Sequence, residues 1–163
     1  MTSRSTRGGD AARRRRRSIT AVKEGLRELN SQLSLLNHQV GERLGLKDVD
    51  LECLDMIARH GPLTPSELAR RAGLHPATMT GILDRLERAG WVTRDRDPSD
   101  RRAVLIRPLR DRNAELFRLY AGMNRSMDEL CERYTDKELE LLAGFLRRTT
   151  DAGKTATDAL GST

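Results

Sequence analysis

Two prolines and a glycine in the middle of the chain restrict its fold to a pair of short, closely connected helices. Thr64, Pro65 and Glu67 have the spacing of a capping box with proline at the first helical position, so a helix begins there. Gly73 ends this helix after about two turns, and Pro76 begins the next one. Two helices joined by three or four residues that include a glycine are typical of a helix-turn-helix, which is therefore the predicted centre of the fold.

The second helix, predicted over residues 75–89, has an apolar face and an opposite face of small side chains. Its apolar face consists of Met79, Ile82, Leu83 and Leu86. A glycine inside a helix costs roughly 1 kcal/mol relative to alanine, so Gly81 on the exposed face favours close approach to another molecule. Small side chains suit insertion into a DNA major groove about 12 Å wide; a solvated helix surface is the alternative. The predicted contacts to bases or phosphates are His75, Pro76, Ala77, Thr78, Thr80, Gly81 and Arg85.

The stretch RDRDPSDRRAVLIR, residues 94–107, predicts a hairpin of two short strands around a turn at residues 97–100. Carboxylates can hold guanidinium groups by paired hydrogen bonds and so reduce the entropy that an arginine loses on binding. An arginine held in this way can enter a narrow DNA minor groove; the alternative is a solvated charged loop. The predicted DNA contacts of the hairpin are Arg94, Arg96, Arg101 and Arg102. The carboxylates that could hold them are Asp95, Asp97 and Asp100.

Long apolar stripes flank this central region on both sides. The first, in alternating steps of three and four residues, consists of Ile19, Val22, Leu26, Leu29, Leu33, Leu36 and Val40. The second consists of Leu116, Tyr120, Met123, Met127, Leu130 and Tyr134. Because a centre of roughly 60 residues is too small to cover both stripes, we predict that a second copy of the chain covers them in a homodimer. The predicted fold is mainly α with a small β-hairpin, with helical dimerisation regions at 18–45 and 109–152 and a DNA-binding domain at 46–108.

The net charge of the chain lies at one end. Residues 1–17 contain seven arginines against Asp10, a balance of +6, and the whole chain also carries +6, so residues 18–163 are balanced. We predict a disordered basic arm over residues 1–17 and a frayed polar tail over residues 153–163. The arm is either a solubilising tail or a source of phosphate contacts. Its candidate phosphate ligands are Arg13, Arg14, Arg15, Arg16 and Arg17.

Several classes of protein do not fit this sequence. It shows no Ser/His/Asp constellation, catalytic carboxylate pair or phosphate-binding loop, so we predict no enzyme and no cofactor. The three histidines are too widely spaced for an evident metal site. No apolar run suits a secretory signal or a membrane span, which predicts a cytoplasmic protein without membrane contact. Cys53 and Cys131 form no CxxC pair and are interpreted as structural thiols rather than sensors.

The stretch LTPSELARRAGLHPATMTGILDRLERAGWVTRDRDPSDRRAVLIRPL resembles the winged helix-turn-helix of the multiple antibiotic resistance regulator (MarR) family. The family's wing pattern, D-x-x-D-[RK]-R before an aliphatic strand, is matched by Asp97, Asp100, Arg101 and Arg102. Its helix pattern, L-D-R-L-x-x-x-G-[LW]-[VI], is matched by residues 83–86 and 90–92. The resemblance implies an obligate homodimer, most often a repressor, on pseudo-palindromic DNA, with one recognition helix in each major groove.

Further residue roles follow from the resemblance alone. Arg102 takes the position of the wing tip, and Asp84 and Asp100 take positions that orient arginines. Thr64 and Ser66 are additional candidate phosphate contacts. Many members of the family respond to small aromatic or carboxylate molecules, so such a molecule is the candidate effector. In one departure, residues 108–112 replace the family's L-T-x-x-G, and Asp111 is the expected replacement cap of the following helix.

Two other interpretations stay open. A winged helix can serve as a protein-interaction module, which would show no sequence-selective DNA affinity and would need an exposed apolar patch. The predicted recognition face lacks such a patch. A winged helix can also be an architectural DNA-binding protein that needs no effector, and nothing in the residues excludes this second alternative.

Overall fold

The structure of the protein is a computed structural model. It describes residues 5–98, 100 and 103–161, with only the backbone at residues 5–8 and 113. The described residues form six helices and two strands: α1 (Ser5–Leu44), α2 (Asp48–His60), α3 (Pro65–Ala72), α4 (Pro76–Arg88), β1 (Val92–Arg96), β2 (Val104–Pro108), α5 (Arg110–Cys131) and α6 (Asp136–Gly161). The chain divides into two compact units, of which the first ends at Leu116 and the second begins at Phe117. The prediction of a mainly α fold with a small β-hairpin is confirmed.

The core of the first unit lies among α2, α3, α4 and the hairpin. Its fully buried side chains include Leu54, Ile57, Leu68, Ile82, Leu86, Trp91 and Ile106. The predicted apolar face of α4 is confirmed, because all four of its side chains are buried. Burial of one aliphatic side chain contributes about 1.5–3 kcal/mol, so these side chains together fix the rotation of α4 about its own axis.

Local signals define the two helices of the helix-turn-helix as predicted. The backbone N–H of Glu67 donates to Oγ1 of Thr64 at 3.2 Å, and the backbone N–H of Thr64 donates to Oε2 of Glu67 at 2.9 Å. Two glycines adopt the left-handed conformation just past the helices: Gly73 after α3, with φ of 64°, and Gly90 after α4, with φ of 74°. This conformation strains residues that have a Cβ, so both positions favour glycine.

The predicted hairpin is also present. Strands β1 and β2 are antiparallel, with Val92 opposite Pro108 and Arg96 opposite Val104. Leu63, just before α3, forms a further bridge to Ile106 of β2. The backbone of the hairpin is therefore tied directly to the start of the helix-turn-helix.

The N-terminal arm differs from the sequence prediction. Helix α1 is 40 residues long and begins at Ser5, so residues 5–17 are helical rather than disordered. Arginine and alanine, which make up most of residues 11–17, are good helix formers. The chain contains no proline before Pro62, so a helix formed over the apolar stripe can continue towards the N-terminus.

The C-terminal segment differs in the same way. Helix α6 continues to Gly161, through most of the segment that was predicted to fray. Lys154 pairs with Asp151 at 3.3 Å. The hydroxyls of Thr155 and Thr157 donate to backbone carbonyls one turn earlier, at 3.0 and 3.1 Å. Small polar residues therefore satisfy their hydrogen bonds on the helix itself, and the helix does not end at residue 152.

Apolar side chains of the outer helices remain exposed in a single chain. On α1, four side chains of the predicted stripe are 36–47% exposed: Ile19, Val22, Leu29 and Leu33. In the second unit the large exposed apolar side chains include Phe117, Met127, Leu130, Tyr134, Leu142 and Leu146. None of the described helices has the length and apolar character needed to cross a membrane.

Candidate nucleic-acid interface

Helix α4 presents to solvent the face opposite its buried side chains. Ala77, Thr78 and Thr80 are exposed in its first two turns, and Gly81 is half-buried. A Cβ at Gly81 would meet one group within 4 Å, Nη1 of Arg85 at 3.7 Å, which is ordinary van der Waals contact. The beginning of α4 is therefore a narrow surface on which short side chains leave the backbone accessible.

Two side chains at the start of α4 already make hydrogen bonds. The backbone N–H of Ala77 donates to Nδ1 of His75 at 3.2 Å, so His75 caps the helix. A neutral histidine that accepts through Nδ1 carries its proton on Nε2, which makes Nε2 a donor. The Thr80 hydroxyl donates to the carbonyl of Pro76 at 3.1 Å, which leaves its oxygen as an acceptor. These groups match phosphate oxygens and the edges of bases in the major groove.

Arg85, predicted from the sequence to contact DNA, has an internal partner. Its Nη2 and Nε donate to the two carboxylate oxygens of Asp50 at 2.6 and 3.0 Å. Hydrogen bonding to Asp50 raises the pKa of Arg85 further, so the guanidinium is always charged. The sequence analysis did not identify Asp50, because it lies 35 residues from Arg85 and the pairing depends on tertiary packing. The predicted DNA contact of Arg85 would therefore be made by a guanidinium that Asp50 holds at one edge.

Arg94 of β1 is held by two carboxylates of α4. Its Nη2 donates to Oδ1 of Asp84 at 2.5 Å, and its Nη1 lies 3.4 Å from Oε2 of Glu87. The structure thus gives Asp84 an arginine partner on the adjacent strand. Within the hairpin, Arg107 pairs with Asp95 at 3.3 Å. Arg94 therefore couples the hairpin to α4 and has less freedom to reach DNA than the sequence suggested.

The end of the hairpin is closed by its own backbone. The backbone N–H of Asp97 donates to the carbonyl oxygen of Ala103 at 3.0 Å. The backbone N–H of Ala103 donates to the carbonyl oxygen of Asp100 at 2.9 Å. Arg96, the last residue of β1, is exposed. The candidate wing residues Arg101 and Arg102 lie outside the described residues.

The remaining candidate phosphate contacts lie on α3 and α1. The Thr64 hydroxyl donates to Glu67 at 2.8 Å within the capping box, whereas Ser66 is exposed. Hydrogen bonds from the backbone and the hydroxyl of Thr64 lower the pKa of Glu67, so the carboxylate stays ionised as a cap acceptor. The five candidate arginines of the basic arm are exposed on α1: Arg13, Arg14, Arg15, Arg16 and Arg17.

Comparison with known proteins assigns this arrangement to a family. The sequence model of the MarR family matches residues 46–104. The uncharacterized HTH-type transcriptional regulator YcgE of Bacillus subtilis is 37% identical over 125 residues, which are 77% of this chain and 81% of YcgE. This chain belongs to the MarR family. Proteins of the MarR family are DNA-binding transcription regulators and not enzymes.

Further MarR-type proteins resemble the chain. The HTH-type transcriptional repressor YetL of Bacillus subtilis is 33% identical over 89 residues, which are 55% of this chain and 53% of YetL. The solved structure of a MarR family protein from Bacillus stearothermophilus matches this chain with a TM-score of 0.64 and 23% sequence identity. The match spans 85% of this chain and 97% of the Bacillus stearothermophilus chain. The transcriptional regulator Tm0710 from Thermotoga maritima has a TM-score of 0.60 at 22% identity, over 85% and 98% of the two chains. The solved structures share the fold.

The histidines and thiols of this MarR-family chain lie in different surroundings. No described cluster of His, Cys, Asp and Glu could hold a metal ion. His38 of α1 pairs with Asp48 of α2 at 3.1 Å, and this hydrogen bond raises the pKa of His38. Cys53 is buried, and Cys131 is half-buried. Burial, with the nearby carboxylate of Asp50, raises the pKa of the Cys53 thiol to about 11.

The raised pKa of Cys53 predicts a protected thiol. The thiolate is the reactive form, and a rise from 9.0 to about 11 leaves roughly 100-fold less thiolate near neutral pH. We expect iodoacetamide to modify Cys53 at least about 100-fold more slowly in the folded protein than in urea, as measured by mass spectrometry of the cysteine peptides. Cys131 is the internal reference. Equal rates for Cys53 in the two conditions would contradict a structural role.

Proposed function

We propose that the protein is a homodimeric transcriptional repressor that binds a pseudo-palindromic operator, with α4 of each subunit in the major groove. The observation that carries the proposal is the geometry of α4. Its rotation is fixed by a buried apolar face, and its opposite face begins with a cap at His75 and continues with Ala77, Thr78 and Gly81. A helix-turn-helix protein reads bases with this part of the helix. The repressor role is supported by the names of relatives such as YetL.

The homodimer rests on the exposed apolar stripes. Large apolar side chains at helical spacing are exposed on α1, α5 and α6 of the single chain. An exposed apolar surface of this length is unfavourable in water, and a second copy, which carries the same stripes, can cover it in a symmetric interface. Release from the operator by a small aromatic or carboxylate effector is part of the proposal and rests on the family resemblance.

The hairpin contributes the wing of the proposed complex. Arg96 is exposed at the end of β1, and Arg101 and Arg102 follow the turn in sequence. Arginines at this position suit the minor groove that flanks each major-groove contact. Arg94, which is held by Asp84 and Glu87, would instead fix the angle between the hairpin and α4.

Selection of bound fragments from random duplex DNA tests the proposed function. We expect an enriched inverted repeat with half-site centres one helical turn, about 34 Å, apart, because each subunit of a two-fold dimer presents one α4. We also expect A·T-rich flanks, where the minor groove is narrow and attracts arginine. A library that shows no enriched sequence would exclude an operator-binding protein and favour the protein-interaction module.

Gly81 provides a direct test of groove insertion. Gly81→Ala should stabilise α4 by roughly 1 kcal/mol, because the added methyl meets only the Arg85 guanidinium, in ordinary contact. The same methyl would overpack the DNA interface, which typically costs about 1–3 kcal/mol, so operator affinity measured by fluorescence anisotropy should fall at least about fivefold. Gly153→Ala in α6, where nothing lies within 4 Å, is the matched control and should leave affinity unchanged. Wild-type affinity in Gly81→Ala would exclude close contact at this position.

The basic arm predicts a salt effect. If the arm binds phosphates, deletion of residues 1–17 should reduce the slope of log K against log salt concentration by about 0.9 for each phosphate that the arm neutralises. Replacement of arginines 13–17 by glutamine, another good helix former, removes the charge and keeps the helix. Both variants should then show the same reduced slope. An unchanged slope in both would identify the arm as a solubilising tail.

A further inference from the structure

One carboxylate of the first unit is buried among the apolar side chains of its core. Asp50, in the first turn of α2, is 2% exposed, and it is the one charged side chain that is buried among the described residues. An ionised carboxylate without a partner is strongly unfavourable in such a position. Its partner is Arg85 of α4, which provides two hydrogen bonds, to both oxygens of the carboxylate.

This pairing determines which part of Arg85 stays available. Asp50 occupies Nε and Nη2, the two nitrogens on one edge of the guanidinium. Nη1 lies beside Gly81, 3.7 Å from the place that a Cβ would take. These two hydrogen bonds do not use Nη1, and 39% of the Arg85 side chain is exposed. The arginine is thus held at one edge, with Nη1 beside Gly81 of α4.

We infer that Asp50 is a positioning residue for DNA binding, which holds Arg85 from the core so that Nη1 donates to one DNA phosphate beside α4. The inference rests on the proposed function and assigns a role to one contact of that interface. A phosphate oxygen accepts a charge-assisted hydrogen bond from one nitrogen. An arginine that is already fixed loses little conformational entropy when it binds.

Base recognition by Arg85 is the alternative to a phosphate contact. An arginine reads guanine with two nitrogens at once, which bond O6 and N7. Nη2 carries two N–H groups and Asp50 takes one of them, so the edge formed by Nη1 and Nη2 stays open to such a pair. Loss of a phosphate contact would weaken binding to any duplex equally, whereas loss of a base contact would weaken only the complex with the selected operator.

The test uses the full-length chain and two duplexes, the selected operator and a scrambled version. Its main variant is Asp50→Asn with Arg85→Gln, which replaces the ion pair by two amides that can still bond each other, so that no buried charge is left unpaired. The matched control is Asp55→Asn with Arg59→Gln, which removes the exposed pair on α2 that lies 2.9 Å apart. Circular dichroism and thermal unfolding establish that each variant is folded.

We expect the main variant to bind both duplexes about tenfold or more weakly, by the same factor, which corresponds to the loss of one hydrogen bond to a charged group. The salt slope should fall by about 0.9, the value for one phosphate, whereas the control should match the wild type in both measurements. Asp50→Asn alone should also weaken binding, but it should cause no further loss when Arg85→Gln is present, because its effect passes through Arg85.

Two outcomes would overturn the inference. A folded main variant with wild-type affinity and salt slope would show that the pair acts on stability alone. A loss confined to the operator, with unchanged binding to the scrambled duplex, would show that Arg85 reads bases. Failure of the wild type to prefer any duplex would overturn the proposed function together with this inference, so the two failures can be distinguished.

Discussion

Burial of the apolar face of α4 is the contact on which the arrangement of the DNA-binding unit depends. Met79, Ile82, Leu83 and Leu86 are removed from water together, and each contributes about 1.5–3 kcal/mol. Rotation of α4 would expose one or more of them, so the helix has one stable orientation. Its short side chains face outward as a consequence of that orientation. The same packing that stabilises the unit thus determines which surface is available to a ligand.

Two arginine–carboxylate pairs connect α4 to its neighbours. The two pairs differ in how far their side chains are buried and therefore in how much each contributes to stability. The pair of Asp50 and Arg85 joins α4 to α2 through a buried carboxylate, which cannot lose its partner without a large desolvation penalty. The pair of Asp84 and Arg94 joins α4 to β1, and both of its side chains are partly exposed. Exposed pairs contribute only about 0–1 kcal/mol. The ion pair to α2 therefore contributes more to the position of α4 than the ion pair to β1, where the buried Trp91, Val92 and Ile106 also hold the hairpin.

The sequence predicts those parts of the fold and the site that depend on neighbouring residues. The capping box of Thr64 and Glu67 and the turn at Gly73 are local patterns, and the apolar face of α4 follows from its period. The partner of Arg85 could not be predicted in this way, because Asp50 lies 35 residues earlier in the chain and the pairing depends on tertiary packing. The helical arm was missed because its charge indicates disorder, whereas its arginines and alanines favour helix.

The beginning of α5 shows how tertiary contacts replace a missing local signal. The threonine cap of the family pattern is absent, and Asp111, the expected replacement, lies inside the first turn, where its charge favours the helix dipole. The N–H of Leu109 donates to the carbonyl of Trp91 at 2.9 Å, and the Arg112 guanidinium lies 4.3 Å from the centre of the buried Trp91 ring. Trp91 directly follows the turn that ends α4, so a displacement of the first turn of α5 must also disturb the end of α4. Within the first unit, this contact thus ties the first turn of α5 to the residues that follow the recognition helix.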